Sequence, residues 1–467
     1  MNKVLDNIIY RISVVVLALV LLAACEPSFD FNSEFYHDGV SADRTEIVGG
    51  RDVSDETRNV LLLYSAGFNS ISDYLKEDIQ DLMEGDLPSD SRMKDVLLVY
   101  SHLPVRKNAY SEPNPPVLMR VYQGHAGEVV TDTLVRYHDS VHSADPAQLN
   151  AVLTYVRDNF PAKTYGMIFS SHATGYLPTG YYTNPKEYMY APSSVVMGRQ
   201  GHQKPHYGVP YVEPEHDPSL PMVKSVGQDQ VGTYGAYLSY EIQIEDFAKA
   251  LPMYLDYILF DACLMGGVEV AYELAGKCGL VGFSQAEVLA EGFDYKTIPT
   301  HLLNGGTPDP QAVCEDYFQQ YDVQSGIYRS ATISMVDCAK MEPLAEICRV
   351  LFAKYRDQMR EVDPETVQRF YRSDYHWFYD MADILAKSGA TADELQTVDE
   401  ALEQCIVYKA ATPEFMGSFS IKTFSGLSMF FPYTKLYIPS QGGYVHEFAL
   451  QQYYKTLKWN IATGLVE

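Results

Sequence analysis

Two apolar runs, each ending in a residue capable of chemistry, constrain this chain more than any other feature. Tyr165-Gly166-Met167-Ile168-Phe169-Ser170-Ser171 leads into His172, and Tyr257-Ile258-Leu259-Phe260 leads into Asp261-Ala262-Cys263-Leu264-Met265-Gly266. Both runs are short, almost continuously apolar and bounded by breakers, the pattern of strands buried on both faces of a parallel sheet. The carboxyl ends of parallel strands open on one edge, where active sites collect. A histidine and a cysteine far apart in sequence are thereby brought to one rim, the layout of a thiol nucleophile with an imidazole base.

The surrounding sequence supports such a sheet. Val60–Ala66, Asp95–Leu103 and Pro116–Tyr122 read as strands. Ser70–Met83 reads as a helix with Ile71, Tyr74, Leu75, Ile79 and Leu82 toward one side, capped by Ser70 or Ser72 and stopped at Gly85. Asp145–Asn159 reads as a helix opened by Asp145-Pro146. Ser239–Ala250 and Met265–Leu274 are expected as helices on either side of the Cys263 strand, followed by a strand at Gly279–Ser284. The expectation for residues 58–305 is an α/β domain, its mainly parallel sheet covered by helices on both faces. Residues 306–467 are expected to form an additional α+β region packed on that core. Its strands are Ala331–Val336, Ser418–Thr423 and Leu427–Phe431, and its helices Met341–Met359, Asp393–Cys405 and Val445–Trp459. Residues 173–239 interrupt the rhythm as an insertion rich in Gly, Pro, Tyr and His; so long a loop is usually a lid, a binding loop or a processed linker.

The amino terminus carries an address. Lys3 and Arg11 flank a basic region, Ile12–Leu22 is apolar but short for a membrane span, and Leu22-Ala23-Ala24-Cys25 resembles a bacterial lipobox. Residues 1–25 are thus expected to be a lipoprotein signal peptide, with Cys25 lipidated and 26–57 a polar tether. The expected location is the bacterial cell envelope after export, with the membrane and its face unspecified. A net charge of −26 argues against nucleic acid and against direct contact with anionic lipid, leaving the acyl group as the attachment; the overall field favours basic substrates. The cysteines besides Cys25 and Cys263 are Cys278, Cys314, Cys338, Cys348 and Cys405, whose spacings match no disulfide framework or zinc site; free, buried thiols are expected.

Six segments taken in order resemble the landmarks of clostripain-type cysteine peptidases. They are Leu62–Asn69, Ser171-His172, Phe260–Gly266, Gly282-Phe283-Ser284-Gln285, Tyr379–Asp383 and Ser425–Pro432, and Asp261-Ala262-Cys263-Leu264-Met265-Gly266 is the most specific. The resemblance covers most of the mature chain and implies a caspase-like fold and cleavage after Arg or Lys. It makes Cys263 the nucleophile and His172 the general base and acid. It also gives the backbone N–H groups of Ala173 and Cys263 to an oxyanion hole, although the family places glycine where this chain has Ala173. Asp261 would line the pocket for the basic side chain; read from residues alone, it serves equally as an N-cap of the following helix. Helix amides near Met265 and Gly266 are expected to help stabilise negative charge. Ser284 and Gln285 resemble the edge that binds substrate backbone.

Family members are often cut between the histidine and the cysteine after a basic residue. Of Lys186, Arg199, Lys204 and Lys224, the choice falls on Lys224, because Lys224–Asp229 re-enters family-like sequence. His202, His206 and His216 form no strong metal pattern. No organic cofactor is required and no metal is assigned; the resemblance leaves calcium open. The reading is therefore an exported, lipid-anchored cysteine endopeptidase acting through a Cys-His dyad on peptides or proteins with basic residues. The alternative is a catalytically inactive surface lipoprotein that uses the same fold to bind peptide or protein, favoured by Ala173 and the enlarged loop.

Overall fold

The computed structural model describes residues 46–47, 57–89, 94–182, 209–210, 219–224, 229–233, 236–372, 377–432, 435–438, 443–446 and 448–467. The signal peptide with Cys25, the expected 26–57 tether apart from residues 46–47 and 57, and Lys186, Arg199, His202, Lys204, His206 and His216 lie outside the described residues; Glu46–Ile47 of that expected tether instead pair into the sheet.

A ten-stranded sheet organises residues 46–411. Its strands are β1 (Glu46–Ile47), β2 (Asn59–Ala66), β3 (Val96–His102), β4 (Val117–Gln123), β5 (Val129–Arg136), β6 (Thr164–Ser170), β7 (Leu255–Asp261), β8 (Cys278–Phe283), β9 (Thr332–Asp337) and β10 (Ile406–Ala411). Their spatial order is β1-β5-β4-β3-β2-β6-β7-β8-β9-β10. The central five, β3-β2-β6-β7-β8, are parallel. Both flanks are antiparallel. The apolar runs at β2, β3 and β7 are almost wholly buried, as two-sided cover requires. β5 was not legible from sequence: its Thr-Asp-Thr centre is polar and it forms a hairpin on β4 near the sheet edge. The polypeptide after residue 306 contributes β9 and β10 to this same sheet.

The strand order reverses between β2 and β6. From β2 the chain crosses to β3 through α1 (Ser72–Glu84); from β6 it proceeds the opposite way to β7 and β8. Right-handed crossovers in opposite directions put their helices on opposite faces. Accordingly α2 (Pro146–Asn159) packs on α3 (Ile244–Ala250), and α3 touches α4 (Val268–Glu273). On the other side α5 (Ile298–Leu302) packs on α6 (Pro310–Asp322). Two further helices, α7 (Met341–Met359) and α8 (Ala392–Cys405), pack together, and the carboxy-terminal α9 (Lys458–Thr463) bridges α7 to α4. Asp145 caps α2 by accepting from the Ala147 N–H, as the Asp-Pro pair indicated. The reversal between β2 and β6 opens the crevice where ligands of open α/β sheets bind.

Several expected elements differ. The first residues expected in the 239–250 helix belong to a strand, Ala236–Tyr240, so α3 starts at Ile244. The strands expected at 418–423 and 427–431 shrink to Phe419–Ser420 and Ser428–Met429. The expected closing helix is a strand at Gly443–His446 followed by helices Phe448–Tyr454 and Lys458–Thr463. Cys263, Cys278, Cys314, Cys338, Cys348 and Cys405 are buried and none is bridged to another. No helix among the described residues is long and apolar enough to cross a membrane.

The register of β6 against β7 depends on one glycine. Gly166 pairs with Tyr257, and a Cβ at 166 would stand 1.9 Å from the Tyr257 ring. Strand glycines mark such close approaches. Gly166→Ala is expected to destabilise the protein by about 2–4 kcal/mol through overpacking between two central strands. Urea unfolding monitored by circular dichroism measures it; an unchanged midpoint contradicts the packing argument.

Candidate functional site

The β6–β7 pairing sets the site. Ser170 lies opposite Asp261, so each strand runs off the sheet edge in step and delivers Ser171-His172-Ala173 and Ala262-Cys263-Leu264 side by side. Immediately after Cys263 the chain turns through Leu264, whose φ of 63° is in the left-handed region. A non-glycine residue there costs about 1–3 kcal/mol and tends to sit at functional turns. Gly175, at φ 62°, closes against the same turn: a Cβ on it would lie 2.4 Å from the Leu264 carbonyl oxygen.

The residue held between these two turns is Lys224. Its carbonyl oxygen accepts from the Ala173 N–H at 3.2 Å and from the Cys263 N–H at 3.3 Å. Its N–H donates to the Val288 carbonyl at 2.9 Å, and the Ala290 N–H donates to the Met222 carbonyl at 2.9 Å. Val223 and Leu289 form an antiparallel bridge. Residues 222–224 thus lie as an added strand on residues 288–290, a mode in which main-chain bonds hold an extended peptide.

The Lys224 side chain is fully buried and ends between two carboxylates. Its Nζ donates to Asp261 Oδ2, to Asp78 Oδ2 at 3.0 Å and to Ser170 Oγ at 3.4 Å. Tyr295 donates its hydroxyl to Asp261 Oδ2 at 2.6 Å, and its ring centroid is 6.0 Å from Nζ. Burial works against the ammonium charge, but Asp261 and then Asp78 outweigh it and raise the Lys224 pKa. Burial, opposed by Lys224 and reinforced by Asp261, pushes Asp78 well above the ordinary carboxylate range.

Cys263 is buried; its Sγ accepts from the Val288 N–H at 3.0 Å and lies 3.6 Å from the Val288 carbonyl, to which the thiol donates. The His172 ring is likewise buried, with Nε2 3.1 Å from Ser70 Oγ, while Nδ1 has no hydrogen-bond partner among the described residues. For Nδ1 to accept a proton, Nε2 must carry the hydrogen and Ser70 Oγ must accept it. Burial, and less strongly the Lys224 charge, lower the His172 pKa to about 3 against the pull of the Lys224 backbone, so the ring is neutral here. The arrangement has the parts of acyl transfer: a thiol, a neutral base, two N–H donors on one carbonyl oxygen and a pocket for the adjoining cationic side chain.

The structure brings together Cys263, His172, Ala173, Asp261 and Lys224 and leaves two expected residues aside. Ser284 Oγ is 2.8 Å from Thr332 Oγ1, and Gln285 Nε2 donates to Ser334 Oγ and the Gly426 carbonyl. Both side chains are fully buried in internal bonds, and backbone pairing falls to Val288 and Ala290 beyond them. The helix expected from Met265 starts at Val268 with Gly267 as its N-cap, so Asp261 caps nothing there. The N–H groups of Leu264 and Gly266 donate to Ala286 and Ser284 carbonyls and so are not directed at the Lys224 oxygen. Ala173 has no positive φ, so the position expected to want glycine tolerates a Cβ while its N–H still donates. Among the described residues no group of three or more His, Cys, Asp or Glu is arranged to hold a metal ion.

Sequence reasoning missed Ser70, Asp78, Ser170, Val288 and Tyr295. Ser70 is, with Ser72, one of the two expected helix caps, yet α1 has Ile71 as N-cap with no side-chain bond, and the Ile71 N–H is taken by Asn69 Oδ1. Asp78 left a signal: it lies with Leu75, Ile79 and Leu82 on the buried face of α1.

Because the folded state holds His172 neutral down to about pH 3 while the unfolded ring takes a proton below about 6.5, stability must fall as pH drops through that window. The slope attributable to this ring reaches about 1.4 kcal/mol per pH unit. Denaturant titrations of Cys263→Ala and Cys263→Ala/His172→Gln between pH 7 and 4 isolate it. The single variant should lose stability more steeply, and parallel curves contradict the assignment.

A clostripain family model matches residues 63–194 and 213–462. An inactive zymogen C11 protease from Parabacteroides distasonis is 23% identical, with 89% of this chain and 99% of that one covered and a TM-score of 0.63. A secreted C11 cysteine protease from Bacteroides thetaiotaomicron, iotapain, is 21% identical over 88% of this chain and 100% of its own, with a TM-score of 0.64. A secreted C11 cysteine protease from the same organism, in complex with an irreversible peptide inhibitor, matches at 21% identity over 87% and 98%, with a TM-score of 0.62. No curated protein matches the chain. The likeness to these structures is one of fold, the caspase-like α/β arrangement that the sequence resemblance implied.

Proposed function

Since the chain belongs to the clostripain family of cysteine proteases, we propose that it is an exported endopeptidase held inactive by its own Lys224 and released by cutting the bond that follows it. One observation carries this reading: the Lys224 carbonyl oxygen accepts from both Ala173 and Cys263 N–H groups while its side chain fills a doubly acidic pocket. That is how a substrate with a basic residue before its scissile bond should lie.

On this reading the Cys263 thiol gives its proton to His172 Nδ1 as Sγ attacks the Lys224 carbonyl carbon. Charge developing on the oxygen is met by the two N–H donors already directed at it. His172 then protonates the departing amine of Ser225, a residue outside the described set, leaving Lys224 joined to Cys263 as a thioester. Water, deprotonated by His172, hydrolyses that ester and restores the thiol. Withdrawal of Lys224 opens the pocket, and an extended peptide with Lys or Arg takes its place along residues 288–290. Calcium requires no step in this scheme, and the described residues offer it no cluster.

Mass spectrometry of the purified chain tests the cut. Wild type should yield fragments ending at Lys224 and beginning at Ser225. Cys263→Ala should remain intact, and His172→Ala should slow processing by about 10²–10⁴-fold. Intact wild type that hydrolyses no basic fluorogenic peptide, even after limited trypsin treatment and with added calcium, instead favours an inactive peptide-binding lipoprotein.

The lipid anchor is part of the same proposal. It rests on the lipobox-like Leu22-Ala23-Ala24-Cys25, which the structure does not describe. Metabolic labelling with a fatty acid should mark wild type and spare Cys25→Ala, which should also leave the detergent phase. Equal labelling of both sinks the anchor without touching the peptidase.

A further inference from the structure

The pocket that holds Lys224 is built by more than the aspartate next to the thiol. Asp261 comes from the end of β7, whereas Asp78 comes from the buried face of α1 in the crossover between β2 and β3. Together with Ser170 they present three oxygen acceptors to Nζ. A lysine ammonium has three N–H donors on one compact centre, so three converging acceptors satisfy it completely. The wall behind it is Gly292, at φ 63°, where even a Cβ would come within 2.5 Å of both Nζ and Asp261 Oδ2. The pocket therefore ends at the ammonium.

We propose that Asp78 is a specificity-determining residue that makes this pocket select lysine over arginine in substrates. The inference rests on the reading of Lys224 as the occupant of the substrate pocket. Arginine is one bond longer and ends in a rigid planar fork, which pairs best with both oxygens of a single carboxylate. With Asp78 and Asp261 converging on a single ammonium-sized position, the fork has neither the depth nor the plane it needs. Asp261 Oδ1, which has no partner while lysine is bound, is the second acceptor the fork would use once Asp78 no longer competes for the site. Neutralising Asp78 should therefore weaken lysine far more than arginine.

Two measurements test this, one of them independent of catalysis. In the intact Cys263→Ala chain, Lys224→Arg should lower the melting temperature by several degrees, and adding Asp78→Asn should recover part of that loss. In the processed enzyme, paired peptides differing only in Lys or Arg before the scissile bond should show at least a tenfold kcat/KM preference for Lys. Asp78→Asn should lower the Lys value at least tenfold, mainly through KM, and bring the two peptides near parity. Equal melting of the Cys263→Ala chain with and without Lys224→Arg, equal wild-type rates on both peptides, or equal losses on both in Asp78→Asn would overturn the proposal. Should no peptide be cut, the peptidase reading fails and the melting comparison still decides how the pocket selects.

Discussion

A fully buried ammonium has to be met by charge, and in this protein that requirement fixes the position of everything around Lys224. Removing one ion from water costs several kcal/mol, which only close counter-charges and complete hydrogen bonding offset. Asp261 and Asp78 supply the charge and Ser170 the third acceptor, from a strand end, a helix face and the neighbouring strand. With Nζ anchored there, the backbone of residues 222–224 has one way to satisfy its own bonds, along 288–290. That register sets the carbonyl oxygen of Lys224 against two amides. Side-chain electrostatics and main-chain pairing therefore agree on a single pose.

The amides are ready because the scaffold has prepared them. The Cys263 N–H is presented at the start of a turn made by Leu264 in the left-handed region, and Gly175 lets the histidine loop close on that turn. Leu264 and Gly266 tie the turn down through the carbonyls of Ala286 and Ser284. Strain of this kind persists only where the surroundings over-determine it, and here two strand ends and the 284–290 segment do so. Donors held in place before any reaction need no reorganisation during it, which is the physical content of preorganisation.

The parts legible in the sequence were those that local chemistry dictates. Apolar runs gave the strands, and their common polarity placed His172 and Cys263 on one rim. What escaped was decided by tertiary competition. Ser70 looks like a helix cap, yet Asn69 takes the adjacent N–H and Ser70 turns to His172. Ser284 and Gln285 look like a substrate ledge, but the Ser284 hydroxyl and the Gln285 amide nitrogen are taken by β9 and the Gly426 loop, and the main-chain pairing with residues 222–224 lies further on. Gly266-Gly267 delays the helix after Cys263, which removes a dipole from the thiol and frees Asp261 from capping. Asp78 was readable in principle: a carboxylate on an apolar helix stripe is costly unless something cationic awaits it.

The same burial that makes Lys224 a good plug also sets the state of the base beside it. With the pocket filled, His172 is held neutral, its pKa lowered to about 3 chiefly by desolvation. A neutral imidazole can accept the thiol proton, so on the proposed reading the intact chain is inhibited by occupancy while its chemistry stays competent toward the one bond in place. Lys224 acts on the ring in two opposed ways, its backbone raising the His172 pKa and its charge lowering it, so burial remains the dominant influence. On the same reading, a single side chain leaving a single pocket changes what the site can hold while the buried base keeps its neutral form.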